Sequence, residues 1–259
     1  AKISFNVQGL DSAVTLTLKA GLVVNGVAEN TNYIFSIPED ITVAVTNNIA
    51  FFNEIEVFEG LLLTQNFTVD ASKANQRFIL PNSFIDTDSL RVKVKSSESS
   101  STTVNYTPID NIIGITSTSN TYLLQEIEDE RYEIMFGDGI IGKKLANNNY
   151  VTASYLQTGG KSANGAAEFS FIGRLINQDG AVVGGTNVSL VETIERSRDG
   201  DDIESIASIK YYSPRIYSSQ YRAVTSSDYE AVLSYIYPNV ESVSSYGGEE
   251  LNPPRYGKV

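Results

Sequence analysis

Phe136-Gly137-Asp138-Gly139-Ile140-Ile141-Gly142, followed by Lys143-Lys144-Leu145 and Asn147-Asn148-Asn149, is the stretch on which the reading of the chain turns. Gly137, Gly139 and Gly142 match the dinucleotide pattern G-x-G-x-x-G, and Gly137 through Lys143 match the G-x-x-x-x-G-K of a P-loop. Both patterns bind phosphate only when a helix opens directly after the glycines, because its first amides hold the anion. The surrounding residues predict no such helix. Tyr132, Ile134 and Phe136 alternate with Glu133 and Met135, as do Val151, Ala153 and Tyr155 with Thr152 and Ser154. Three consecutive asparagines are poor helix-interior material, and Lys144 stands where a P-loop needs a hydroxyl for magnesium. The prediction is strand, loop, strand. Glycine reaches positive φ without steric cost, and asparagine tolerates it better than most residues. Gly137-Asp138-Gly139 is then a sharp exit from one strand, and residues 147–149 are the return into the next.

Composition narrows the function classes. The chain has 259 residues, enough for two or three small domains, and 41% hydrophobic residues, enough for a sizeable core. With 19 basic and 31 acidic residues the net charge is −12. The nearest thing to a basic cluster is Arg91, Lys93 and Lys95 on one strand face, so the expectation is no nucleic-acid partner. Cysteine and histidine are absent, which removes disulfides, the usual structural zinc sites and Cys or His nucleophile–base pairs. No apolar run approaches the roughly 20 residues of a membrane-spanning helix, and no signal peptide is expected. The sequence runs from Ala1 straight into a strand pattern, which predicts a fragment of a longer protein.

In chain order, residues 1–45 read as strands. Ile3, Phe5 and Val7 alternate, Asn25-Gly26 is a hairpin signal with Val27 beginning the return, and Pro38-Glu39-Asp40 is a turn. Gly60 breaks one strand, Leu61 to Val69 form the next, and Leu90, Val92 and Val94 alternate with the three basic residues. The serine run 96–101 is read as a hairpin tip, because strand patterns flank it at once. Residues 166–195 return to strands and are expected to complete the sheet begun by residues 1–45.

Two acidic stretches invite chemistry. Glu126, Glu128, Asp129 and Glu130 lie too close together to divide the acid and base roles of a glycosidase, and read as a solvated turn. Asp199 to Asp202 fail the calcium-loop pattern, since position 5 is Ile203 and position 12 is Lys210. Asp201 or Asp202 is instead expected to cap a short helix with Ile203, Ile206 and either Ile209 or Lys210 on one face, ended at Pro214. A second helix is marked by Thr225 as cap and Asp228 three residues on. Tyr229, Val232, Leu233 and Ile236 line one face, and Pro238 closes it.

Two separated motifs carry a resemblance. Phe136, Gly137, Asp138, Gly139 and Gly142, then Val151, Ala153 and Tyr155, then Gly159, Gly160 and Asn164, resemble the first signature of the baseplate J-like family. These are wedge proteins of contractile-tailed phages and related injection machines. Leu145 departs from the usual proline, and Asn148 from the usual glycine. Asp202 to Ser205, Pro214-Arg215, Gln220 and Arg222 through Thr225 with Asp228, Tyr229 and Glu230 resemble the second signature. The resemblance covers about residues 130–240, and the long β insertion points to the C-terminal part of a T-even-type wedge component. It implies pairing of copies, joining of neighbouring wedges into a ring around the tail hub, and rearrangement on contraction.

Eight tyrosines, Tyr211, Tyr212, Tyr217, Tyr221, Tyr229, Tyr235, Tyr237 and Tyr246, fall within residues 211–246. Tyrosine is enriched in protein interfaces, and Tyr211, Tyr217 and Tyr221 are the candidate contacts; the alternative is that several are core residues. Arg215 and Arg222 are expected to pair internally with acids such as Asp228 and Glu230. The fold expected is α+β, predominantly antiparallel β and multi-domain. A discontinuous β domain (1–45 plus 166–200), an inserted β domain (46–165) with the glycine motif and a small helical module (201–259) compose it. The function expected is a structural virion component of the tail baseplate, assembled in the host cytoplasm. Its partners are itself and other wedge proteins. No catalysis, cofactor, metal, membrane or small-molecule substrate is expected. The rival is an adhesive, carbohydrate-binding β module, against which the absence of Trp counts.

Overall fold

The structure is a computed structural model that describes residues 1–11, 13–73, 76–109, 111–220, 222–237, 240 and 242–257. Two units are distinguished, 1–202 and 203–259. In the first, the strands are β1 (Lys2–Val7), β2 (Thr15–Leu18), β3 (Gly21–Ala28), β4 (Thr31–Ile37), β5 (Ile41–Thr46), β6 (Ile49–Glu56), β7 (Phe58–Glu59), β8 (Leu61–Thr68) and β9 (Phe78–Ile79). They continue as β10 (Ile85–Lys95), β11 (Thr103–Pro108), β12 (Thr121–Ile127), β13 (Arg131–Phe136), β14 (Tyr150–Gln157), β15 (Glu168–Phe171), β16 (Leu175–Asn177), β17 (Val182–Val183) and β18 (Glu192–Glu195). Pairing is antiparallel except between β11 and β12.

Two cores form. In the first, a seven-stranded sheet ordered β17-β16-β2-β5-β6-β1-β18 faces a four-stranded sheet ordered β15-β3-β4-β7. Alternation explains the packing: Ile3, Phe5 and Val7 of β1 all point inward. Phe5 stacks on Phe52 at 4.9 Å between ring centres and meets Phe171 of the other sheet at 5.1 Å. Each such buried phenylalanine contributes about 1.5–3 kcal/mol of burial free energy. This core takes in Ala50, Phe52, Ile55 and Val57, so its strands continue past residue 45. Late strands join it: β18 pairs with β1, β16 with β2 and β15 with β3.

The second core lies inside a seven-stranded sheet ordered β8-β14-β10-β11-β12-β13-β9. The sheet curls until its edges meet, with Phe67 of β8 against Phe78 of β9 at 5.6 Å. The serine run forms the turn of the β10–β11 hairpin, where Lys95 pairs with Thr103.

Only two chain crossings link the cores. Going out, Gly60 separates β7 from β8; its amide donates to Ile34 O (3.0 Å), and its carbonyl accepts from the buried Ser36 Oγ (2.7 Å). Coming back, Thr158 and Gly159 leave β14, and the Gly159 amide donates to Glu59 Oε2 at 2.8 Å. Burial pushes the Glu59 carboxyl above the ordinary glutamate value of 4.5, and the Gly159 bond only partly offsets this. The folded state therefore holds this proton more tightly than the unfolded chain. The ionised group costs stability as pH rises above 4.5 through the raised value. Glu59→Gln keeps an acceptor for Gly159 and removes the charge. The expected result is a higher Tm at pH 7, worth less than about 1 kcal/mol because the group is half-exposed, and a gain that vanishes in acid. A lower Tm at pH 7 would mean that the charged bond outweighs its burial.

One local expectation in this unit is corrected. Asn25-Gly26 is not a hairpin turn, because β3 runs straight through it and the reversal occurs at Glu29-Asn30, both at positive φ. Gly26 is instead a packing site: a Cβ there would sit 2.5 Å from Cε1 of Phe169 and 2.7 Å from Cε2 of Phe35. Those two rings meet edge to face at 5.1 Å.

In the second unit, helix α1 (Ile206–Ser219) is capped by Ser205, whose Oγ accepts from the Ser208 amide at 3.2 Å. Neither Asp201 nor Asp202 caps it. Nor does Pro214 end it: the helix passes through Pro214 and stops at Gln220, which is left-handed at φ 50°. The proline removes one helical hydrogen bond, and the turns on either side carry the helix on. Helix α2 (Ser226–Ile236) packs with α1. Pro238, the expected stop of α2, lies outside the described residues.

Candidate functional site

The glycine motif is built from strand ends inward. Phe136, the last residue of β13, packs its ring on Phe78 (5.2 Å) and Tyr106 (5.6 Å). Gly137 then lies directly against Gly142; a Cβ on Gly137 would fall 2.2 Å from the Gly142 carbonyl carbon and 2.4 Å from its oxygen. The loop between them closes through Gly139 N–H to Gly142 O at 3.1 Å. Asp138 Oδ1 accepts from the amides of Ile140 (2.8 Å) and Ile141 (2.9 Å). These amides hold the Asp138 carboxyl below the usual range. No helix follows: residues 143–149 are loop and turn, and β14 begins at Tyr150. Asn148 adopts φ 64° in the return, and Leu145 is half-buried against the second core. The glycines are therefore consumed in contact with each other, and the aspartate in capping the loop.

Gly159 and Gly160 belong to a separate clasp near the end of the first unit. Asn164 binds Gly200 twice, donating Nδ2 to its carbonyl (2.7 Å) and accepting its amide (3.0 Å). Buried Ser197 donates its hydroxyl to Ala163 O and accepts the Ala166 amide at 2.7 Å. Lys161 pairs with Asp202 at 2.5 Å. The hydrogen bond with Asp202 raises the lysine pKa, and the same bond lowers that of the aspartate. Residues 197–202 are thus fixed against 159–166. Neither Ser197 nor Glu59 was marked in the sequence, since each is defined only by partners more than 30 residues away. Glu128, Asp129 and Glu130 form an exposed 3-10 turn whose Asp129 meets Arg131 at 3.2 Å.

In the second unit, Thr225 and Asp228 form the expected capping box. The Asp228 amide donates to Thr225 Oγ1 (3.3 Å), and the Thr225 amide donates to Asp228 Oδ2 (2.8 Å). That backbone bond depresses the Asp228 pKa. Thr225→Ala is expected to cost about 1 kcal/mol of helix stability, read as lost ellipticity at 222 nm; an unchanged signal would mean that tertiary packing alone holds α2. The expected pairing of Arg215 and Arg222 with Asp228 and Glu230 does not form. Arg222 donates to Gln220 Oε1 at 2.7 Å, and Arg215 donates to Tyr211 O at 2.6 Å with its guanidinium 3.7 Å from the Tyr211 ring centre. Glu230 is occupied by the Ser245 amide at 2.9 Å. Local backbone geometry won over charge attraction, which is weak between exposed groups.

Tyr211 is half-exposed, with its ring on Tyr212 at 4.9 Å, whereas Tyr217 is 86% exposed. Tyr229 is partly exposed, and Tyr221 lies outside the described residues. Among the described residues of this unit, Ala231 is the one fully buried apolar side chain. Ile206, Ile209, Tyr235, Ile236 and Tyr237 are all exposed, so the apolar stripe expected on the first helix lies on its surface.

The family model described as "Baseplate structural protein gp6, C-terminal domain I" matches residues 225–259. The baseplate wedge protein gp6 of Enterobacteria phage T4 is 24% identical over 226 residues, covering 78% of this chain. The chain is a relative of the T4 baseplate wedge protein. It spans about a third of that relative's length (32%). The matched wedge-protein segment includes the second unit's capping box and α2. The wedge resemblance read from the motifs around Gly137 and Thr225 is therefore supported.

Proposed function

We propose that the chain is a structural component of a contractile-tail baseplate wedge. In this reading copies associate with each other and join neighbouring wedges into a ring around the tail hub, and the protein resides in the virion. The observation that carries it is the relationship to a baseplate wedge protein over 226 residues. The apolar surface of the second unit supports association, because a 57-residue segment with so little buried apolar area needs partners to cover it. Tyr217 is the freest anchor, since Tyr211 is already engaged by Tyr212 and Arg215. The division into a discontinuous β domain, an inserted β domain and a helical module is part of the same reading. Limited proteolysis that released residues 1–45 readily would sink that division.

Light scattering across a dilution series is the test. A dimer is expected, weakened at least about tenfold by Tyr217→Ala, in line with a loss of 1.4 kcal/mol or more at an interface anchor. A strict monomer at high concentration, combined with glycan binding, would favour the adhesive reading instead.

A further inference from the structure

Beyond that reading, and independent of it, the clasp at the end of the first unit holds a residue pair with covalent chemistry of its own. The sequence contains two Asn-Gly pairs, Asn25-Gly26 and Asn164-Gly165. In such a pair the glycine amide nitrogen can attack the asparagine side-chain carbonyl carbon, because glycine has no Cβ to hinder the approach. The amide proton passes to hydroxide, the new N–Cγ bond closes a succinimide, and the side-chain NH2 leaves as ammonia with a proton from water. A second water then opens the ring to aspartate or, through the other carbonyl, to isoaspartate. The fold restrains the two pairs differently. Asn25 lies inside β3, paired with Ile34 on one side and Ser170 on the other, and Gly26 is wedged beneath the rings of Phe35 and Phe169. Asn164 and Gly165 are both exposed and lie outside every strand.

The restraints on Asn164 are hydrogen bonds. Gly200 holds both ends of its carboxamide, and the attacking Gly165 amide donates to Ser197 O at 2.8 Å. Ring closure needs all three bonds released and the Asn164 backbone, at ψ 136°, rotated. The three partners all lie within residues 197–200, so one local opening of that segment frees the nucleophile and the electrophile together. We propose that Asn164-Gly165 is a site of spontaneous deamidation gated by the clasp, and that its product keeps the clasp from closing again. Either product lacks the Nδ2 donor to Gly200 O, and its carboxylate would stand beside Gly200, whose neighbours are Asp199 and Asp201. The cations there are already engaged: Lys161 pairs with Asp202, and Arg198 with Glu195 and Asp199. Isoaspartate also lengthens the backbone by a methylene, which shifts Gly165 relative to Ser197. The change is irreversible and frees residues 197–202, which lead into α1.

The test is peptide mapping by mass spectrometry of the purified chain during incubation at mildly alkaline pH, with Ser197→Ala and Gly200→Ala beside the wild type. Ser197→Ala removes the hydroxyl that binds Ala163 O and the Ala166 amide. Gly200→Ala puts a Cβ 2.6 Å from Gly160 O and 2.9 Å from Asn164 Oδ1, which pries the clasp apart without touching either core. The mass gain of amide-to-acid exchange is expected at Asn164 and not at Asn25. Each variant is expected to convert Asn164 at least about fivefold faster than the wild type, the scale of a lost hydrogen bond that leaves a partner unsatisfied. Asp199-Gly200 can isomerise by the same route, but without a change in mass. Once Asn164 has converted, hydrogen exchange is expected to show lost protection in residues 197–202, and Asn164→Asp to show part of that loss from the start. The proposal is overturned if neither folded variant converts Asn164 faster than the wild type, or if Asn164 stays intact in all three while the urea-unfolded chain converts it. It is overturned also if Asn25 converts in step with Asn164, since global unfolding would then be the gate, or if conversion leaves 197–202 protected. Should Ser197→Ala fail to fold, the comparison with Gly200→Ala decides by itself.

Discussion

Gly137→Ala is expected to destabilise the protein by more than about 3 kcal/mol, through overpacking that no rotamer change relieves. The new methyl group would meet the backbone of Gly142 at 2.2–2.6 Å, and Gly142 is itself fixed by the loop's hydrogen bonds to Gly139 and Thr116. Relief requires moving the whole 137–142 loop away from the end of β13. Gly139→Ala is the control. It lies in the same loop at φ 94°, with Cβ of Lys144 the nearest atom at 3.6 Å. Only backbone strain is incurred there, about 1–2 kcal/mol. Urea denaturation of both variants separates the effects. Equal losses would show that the Gly137–Gly142 contact is not what the motif serves.

The second large effect is expected at Gly60. An alanine there combines φ 129° with a Cβ 2.5 Å from the Gln157 carbonyl oxygen, so strain and a backbone clash add. The expected loss is again more than about 3 kcal/mol. Its distribution matters more than its size. Gly60 lies where one chain crossing meets the other, and it bonds to Ile34 and Ser36 of β4 while β8 begins at Leu61. Hydrogen exchange should therefore show lost protection in β4 and in β8 and β14 together. Loss confined to β8 and β14 would mean that the two cores unfold independently.

These two glycines show what local sequence can and cannot carry. Gly137 was legible as a turn because strand alternation on both sides left no room for a helix, which also disposed of the phosphate-loop reading. Its partner Gly142 was legible only as a repeat of glycines; that the two backbones touch is a fact of the closed loop. Thr225 and Asp228 were legible because a capping box is completed within four residues. Ser205 is not distinguished from Asp201 and Asp202 by local sequence, since cap preference ranks all three alike; in the fold Lys161 draws Asp202 elsewhere.

Composition and local pattern were enough for the strand-rich class, the absence of thiol and imidazole groups, the helical module near the C-terminus and the wedge resemblance. Each of these rests on composition or on periods of two to four residues. Closure of the sheets was needed before Gly26 could pack beneath two phenylalanine rings and before Glu59 could tie the two chain crossings together. It alone decided that the loop around Gly142 is hydrogen-bonded to Thr116 and Ser119. The physical reason is the same in each case. Side-chain alternation and capping are local and cost little chain entropy to form, whereas these contacts join residues that become neighbours only after the sheets have closed.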